Sequence, residues 1–343
     1  LFDRHFGTSF YVPGDLIIGG SPVAHSGGTP LLWQHLFWFL GHPEVYVLLL
    51  PALGITFDIM AAFTRKPIFG YRLILISLLV TAVLGIVVWG HHMFISGMNP
   101  YLGKFFTIGT MLVTIPMTVI GFCLIASFWG GSLRLDTPML FVIAVIILFG
   151  TGGFGGLFLG NATSDIFLHD SYFVVGHFHL MIGGVTLFAV FAATYFWFPK
   201  MFGRQMNQKL GKIHFWLSLV SFYGMFLGMH FIGLDGAPRR YYAFTEFEFL
   251  KPIIYKQLGV TISSFIFGVA SFIFLFNFFW SLFRGPKAAR NPWKATTLEW
   301  TADSPPPHGN WSTPPQVHRW AYDYSLPGSQ EDFTLQTDEK AGS

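Results

Sequence analysis

The run Leu31-Leu32-Trp33-Gln34-His35-Leu36-Phe37-Trp38-Phe39-Leu40-Gly41-His42-Pro43-Glu44-Val45-Tyr46-Val47-Leu48-Leu49-Leu50-Pro51-Ala52-Leu53-Gly54-Ile55-Thr56-Phe57-Asp58-Ile59-Met60-Ala61-Ala62-Phe63 decides the fold. It holds no lysine or arginine and exceeds the roughly 20 apolar residues a helix needs to cross a bilayer core. Six further stretches meet the same test: Leu73–Gly97, Phe105–Trp129, Pro138–Leu159, Tyr172–Phe198, Phe215–Gly233 and Leu258–Phe283. The sequence therefore predicts an all-α, polytopic membrane bundle of about seven transmembrane helices over residues 31–283. An outer-side segment, 1–30, precedes it, and a polar inner-side tail, 284–343, follows it. The tail turns polar after Phe283, carries Pro305-Pro306-Pro307 and reads as soluble.

Composition agrees. Only 11% of the 343 residues are charged, against about a quarter in soluble domains, and 52% are hydrophobic. A disordered chain is excluded and a soluble enzyme disfavoured. The net charge of +3 is too small and too scattered for nucleic-acid binding. Cys123 is the single cysteine, which excludes an internal disulfide and a cysteine metal cluster. The first residue is Leu1 rather than Met, without a signal-peptide pattern, so a processed, split or partial product is expected.

The basic residues set the orientation. Arg65, Lys66, Arg72, Arg134, Lys200, Arg204, Lys209, Lys212, Arg284, Lys287, Arg290 and Lys294 fall on one side. Only Arg4, Lys104, Arg239, Arg240, Lys251 and Lys256 fall on the other, so the first side is the inner one. His42, His91, His92, His177 and His179 then all lie in the outer half of the membrane, on three spans. A single membrane histidine is as readily an interhelical hydrogen-bonding group as a ligand. Five at one depth point to metal or haem.

Spacing refines this. His177 and His179 lie about 200° apart around a helix, so each faces a different cofactor. Neutral imidazole is a natural axial ligand for haem iron. His91 and His92 lie about 100° apart and lean toward one crevice, where His42 offers a third nitrogen. Three imidazoles without a thiolate or carboxylate suit copper or zinc. Tyr46 sits one turn from His42, on the same face. Its phenol can give a proton and an electron. Glu44 points elsewhere, as an intramembrane carboxyl able to carry protons, and Pro43 loosens the turn. Asp165, His169 and Asp170 precede the fifth span, where His169 and Asp170 suit a hard cation or a charged cofactor edge. Arg239-Arg240 suit carboxylates or, equally, interfacial anchoring.

These residues resemble a known family. Gln34 to Tyr46, Trp89-Gly90-His91-His92-Met93-Phe94, His169 to His179, and Pro238-Arg239-Arg240-Tyr241 resemble the motifs of haem–copper oxidase subunit I, cytochrome c oxidase type. Asn291-Pro292-Trp293, Thr297-Leu298-Glu299-Trp300 and Ser304-Pro305-Pro306-Pro307 resemble its bacterial C-terminus. The resemblance implies that His42, His91 and His92 bind the active-site copper, and that Tyr46 is linked to the His42 ring and serves O–O cleavage. His177 would be the axial ligand of the oxygen-binding haem and His179 one ligand of the low-spin haem. Arg239, Arg240 and Asp170 would meet haem propionates. His169 and Asp170 would hold a magnesium ion shared with subunit II. Glu44 would pass protons from an inner-side pathway toward the site. The cofactors implied are two haems (the a type being the first expectation), copper and magnesium. The implied reaction is reduction of dioxygen to water with proton translocation.

Implied partners are a copper-containing subunit II for electron entry, subunit III, cytochrome c or a related donor, and membrane lipids. A bacterial plasma membrane is expected before a mitochondrial inner membrane. Two departures stand out. The seven spans resemble the sixth to twelfth of the family's twelve helices, so another chain, or the rest of this one, would bring the second low-spin ligand. The family's lysine, four residues after the proline of its eighth helix, is matched by Ile120 after Pro116, so the lysine proton route is expected to be absent. A nitric oxide reductase-like enzyme, a non-catalytic scaffold half-subunit and a simple transporter are the competing readings. A carboxylate among the three histidines favours the first, absence of haem and copper from the purified assembly the second, and helix breaks around a midplane site the third.

Overall fold

The computed structural model describes residues 2–6, 8, 10, 12, 17–18, 20–22 and 28–339. The rest of the 1–30 segment and of the tail lies outside the described residues. A short helix, α1 (Phe2–Phe6), and a two-residue antiparallel pairing of β1 (Ile17–Ile18) with β2 (Ser21–Pro22) precede the bundle. The bundle follows as α2 (Pro30–Thr64), α3 (Tyr71–Val87), α4 (Pro100–Ala126), α5 (Thr137–Leu159), a short α6 (Ala162–Leu168), α7 (Tyr172–Phe178), α8 (Val185–Phe202), α9 (Gln208–Leu234) and α10 (Ile254–Arg284). Six helical stretches are long and apolar enough to span a membrane, α7 and α8 counting as one with the segment between them. The seventh expected span, α3, is shorter. Its α-helix ends at Val87 rather than running toward Gly97, and a 3₁₀ turn, Trp89–Met93, carries His91 and His92.

The helix starts follow local chemistry. Thr29 accepts a hydrogen bond from the Leu31 N–H with Pro30 at the first turn of α2, and Asn99 does the same for Tyr101 with Pro100 in α4. Ser171 caps α7 and Asn207 caps α9. Between α7 and α8 the chain widens into a π-helix, His179–Gly184, so the fifth span is not a regular α-helix. Such bulges occur often at functional sites.

One apolar core joins α2, α4, α5, α8 and α9, through Leu53, Phe57, Ile120, Leu148, Phe188 and Phe222. Lipid tails are as apolar as these side chains, so close backbone approach matters more than burial from water. Small residues supply it: a Cβ at Gly211 would come 2.7 Å from Thr137 Oγ1, and one at Gly224 would come 2.4 Å from Ser263 Oγ. α10 lies on α9 and keeps one wide face exposed.

The polar tail is bound tightly to the ends of α2 and α8. Trp293, Trp300 and Tyr324 belong to the main core. Arg65 ends α2 in the left-handed region (φ 54) and is buried, donating from Nη1 to Lys294 O (2.5 Å) and from Nη2 to Trp293 O (2.6 Å). Lys200 Nζ donates to Ala302 O (2.7 Å), Trp293 Nε1 to Phe196 O (2.7 Å), and the Tyr322 hydroxyl to Asp58 Oδ1 (2.5 Å). Composition alone conceals this docking, because its strongest contacts are charged side chains on tail carbonyls. Arg65→Met should cost about 2–4 kcal/mol by leaving those carbonyls unpaired. The expected result is faster tryptic cleavage at Lys287 to Lys294 in the detergent-solubilised chain. A cleavage rate equal to wild type would contradict the clamp.

Candidate functional site

The 3₁₀ turn after α3 is what brings two adjacent histidines to one point. His91 Nε2 lies 3.1 Å from His92 Nε2, and His42 Nδ1 on α2 lies 3.1 Å from the same atom. One nitrogen from each ring lies within 4.8 Å of the others, the only such group among the described residues. The cluster contains no carboxylate. His42 Nε2 is buried without a hydrogen-bond partner. His42 Nδ1, His91 Nε2 and His92 Nε2 turn toward one another in a dry site, where a shared cation would satisfy their lone pairs, and this donor set fits a metal of copper's softness.

The surroundings fix the rings. His91 Nδ1 bonds Thr110 Oγ1 on α4 (2.9 Å), which leaves Nε2 free for the centre. Trp38 stacks on His92 at 3.8 Å between centroids and an 11° tilt. Tyr46 stands beside His42, with ring centroids 4.8 Å apart. Two glycines make the room. A Cβ at Gly85 would meet the Tyr46 ring at 2.5 Å, and one at Gly90 would meet Phe106 at 2.2 Å. The same i, i+4 spacing that predicts the His42–Tyr46 pair thus holds in the fold.

His177 and His179 have separate environments. His177 Nδ1 bonds the Gly152 carbonyl of α5 (2.8 Å), and His179 Nδ1 bonds the Val175 carbonyl (2.9 Å). Each bond places the ring proton on Nδ1 and leaves Nε2 as a lone pair, the form an axial haem ligand requires. α5 comes this close through its glycines: a Cβ at Gly155 would lie 3.0 Å from His177 Nδ1, and one at Gly156 3.1 Å from its Cε1. His179 stacks on Phe226 of α9 at 4.3 Å and 5°. The residues present fit two haem ligands on different sides of α7.

Around α6 and the end of α9 the polar residues pair with one another. His169 Nδ1 bonds Asp165 Oδ2 (2.6 Å), while Asp170 Oδ1 accepts from Arg240 Nη1 (2.8 Å). Burial pushes the Asp165 carboxyl above its ordinary range, and the hydrogen bond from His169 pulls it partly back. Arg239 lies over the Phe178 ring at 5.6 Å, and its backbone N–H donates to Asp170 O (2.8 Å). Glu44 is exposed on another face of α2, away from the three histidines. Ile120 is fully buried in the core.

Several residues were hidden from the sequence. Thr110 and Gly85 have no spacing that ties them to a histidine, and Trp38, four residues before His42, stacks instead on the distant His92. The four-residue step from Asp165 to His169 does carry a signal, as does the glycine-rich run Gly150-Thr151-Gly152-Gly153-Phe154-Gly155-Gly156, which marks close backbone approach. His230 also packs here, its Nδ1 bonded to Phe226 O (2.6 Å) against Gly176.

Fold and site together define a class, and comparison with known proteins agrees. The sequence profile of the family Cytochrome C and Quinol oxidase polypeptide I matches residues 1–266, and the chain belongs to that family. The alternative cytochrome c oxidase subunit 1 of Bradyrhizobium diazoefficiens is 46% identical over 339 residues, covering 98% of this chain and 57% of the relative. Cytochrome c oxidase subunit 1 of Thermostichus vulcanus is 42% identical over 341 residues, covering 99% of this chain and 59% of the relative. A haem–copper terminal oxidase dimer solved by cryo-electron microscopy shares the fold, with a TM-score of 0.68 at 21% identity, over 76% of this chain and 50% of that one. The chain thus spans less than three-fifths of these curated relatives.

Thr110→Val removes the hydrogen bond that orients His91. It should weaken metal affinity about 10–100-fold, read as the chelator concentration that strips the metal from the purified assembly. Stripping at the wild-type concentration would show that Thr110 does not support the ligand.

Proposed function

We propose that this chain carries the oxygen-reducing site of a respiratory terminal oxidase, which converts dioxygen to water with coupled proton translocation. The observation that carries the reading is the convergence of His42, His91 and His92 beside Tyr46. His42, His91 and His92 would hold copper, His177 the oxygen-binding haem, and His179 one side of the low-spin haem. When bound, these groups supply electrons and open coordination positions for oxygen chemistry.

The chain's own residues do the rest. Tyr46, one turn from His42, supplies a proton and an electron from its phenol. The unpartnered His42 Nε2 supports a covalent link to that ring. Thr110 holds the His91 ring in orientation, and the Gly152 carbonyl holds His177 in the required tautomer. Arg239 and Arg240, with Asp170, would meet haem propionates, and His169 and Asp170 would serve a magnesium ion at a junction with subunit II. Glu44, on the exposed face of α2, would carry protons delivered by helices that cover that face. Buried Ile120 supports proton supply without a lysine route. Subunit II would bring electrons from cytochrome c or a related donor, subunit III and a chain with the preceding helices would complete the assembly, and a bacterial plasma membrane would hold it.

The absence of a carboxylate from the histidine group favours this over a nitric oxide reductase. Tyr46→Phe should lower oxygen consumption at least 100-fold while haem and copper contents stay at wild-type levels, since a phenol acting in the transition state is worth about 10²–10⁴. Near-normal turnover would remove Tyr46 from the chemistry. Glu44→Gln should slow oxygen consumption and abolish proton uptake-linked steps with metals retained. Unchanged turnover and pumping would exclude Glu44 as the carrier.

A further inference from the structure

An elongated groove runs along α3 and α4 from the inner membrane surface toward the bilayer middle. Its mouth, about 810 Å³, is formed by Tyr71, Arg72 and Trp320 with the first turn of α3. A second pocket, about 480 Å³, continues it between the helices. Leu73 lines both. Beyond Leu73 the walls are Ile115, Thr118, Val119 and Phe122. Thr114 turns its hydroxyl back to Met111 O (2.6 Å) and so adds no free polar group. The groove reaches Thr114, twelve residues from the inner end of α4, or about 18 Å along the helix.

The mouth is cationic and aromatic. Arg72 is exposed and, among the described residues, has no ion-pair or hydrogen-bond partner. The basic groups nearest it at the ends of α2, α4 and α5 are engaged: Arg65 with Trp293 O, Lys66 with Trp129 O and Arg134 with Asp332. Tyr71 and Trp320 rings meet edge to face at 5.5 Å and wall the mouth, where interfacial aromatics sit beside headgroups. The Asp58 carboxylate is turned away onto the Tyr322 hydroxyl. A charged mouth opening into an apolar channel of acyl-chain length matches one molecule end to end.

We propose that this groove binds an anionic phospholipid of the inner leaflet, its phosphate on Arg72 and one acyl chain between α3 and α4. The site stands on membrane embedding alone and is independent of the oxygen chemistry. Its test is native mass spectrometry of the detergent-purified assembly, given phosphatidylglycerol or phosphatidylcholine. The wild type should retain phosphatidylglycerol with about fivefold preference, the worth of one basic residue at a membrane surface. Arg72→Gln should abolish that preference, and Lys104→Gln, on the outer side, should leave it intact. Equal retention of both lipids, or equal loss in the two variants, would overturn the proposal. Benzophenone–phenylalanine at position 115 adds an independent readout: light should link it to lipid. A polypeptide adduct would show that a partner subunit fills the groove and would also overturn the proposal.

Discussion

Three imidazole rings meet inside a hydrocarbon-embedded bundle, with a nitrogen of His42 and one of His91 each 3.1 Å from His92 Nε2. Polar groups cannot be left unpaired in such a medium without large cost. Most of the unusual backbone in the outer half serves that meeting. α3 stops at Val87 so that a 3₁₀ turn can aim two consecutive histidines at one point. Gly90 lets the turn lie on Phe106, and Gly85 lets Tyr46 stand next to His42. The same logic governs His177 and His179. The glycines of α5 and the π-helix after Phe178 bring a backbone carbonyl within reach of His177.

The two halves of the bundle divide the work. Polar side chains concentrate in the outer half, around the histidines and the Asp165–His169 and Asp170–Arg240 pairs. Below Tyr46 the space between α2, α3 and α4 is packed with Leu53, Phe57, Ile120 and Leu124. Thr56 satisfies its hydroxyl on Ala52 O, and the Thr81 hydroxyl meets only Met117 Sδ at 3.8 Å. At the inner end the docked tail closes over Asp58. Within the described residues, polar contacts do not form a continuous path from that end to Tyr46.

Much of this was legible in the sequence, for identifiable reasons. Seven apolar runs free of lysine and arginine gave the spans, because transfer into lipid penalises charge so heavily. The four-residue step from His42 to Tyr46 predicted their contact, because an α-helix fixes that geometry. The convergence of His91 and His92 with His42 was legible, but not the 3₁₀ turn that presents the pair. No local propensity favours that turn, and packing of Gly90 on Phe106 imposes it. Thr110 and Trp38 were invisible because their partners come from distant segments. The contact of His169 with Asp165 follows their four-residue spacing. The tail read as soluble because its polar residues dominate composition, whereas its anchors, Arg65 and Lys200, lie elsewhere in the chain.

The account turns on what occupies the point between His42, His91 and His92. The measurement that addresses it most directly is anomalous scattering from crystals of the assembly, collected on either side of the copper and iron absorption edges. The account predicts a copper peak bounded by the three imidazoles, distinct from iron peaks beside His177 and His179. An iron peak between the three histidines, or none at all, would contradict it.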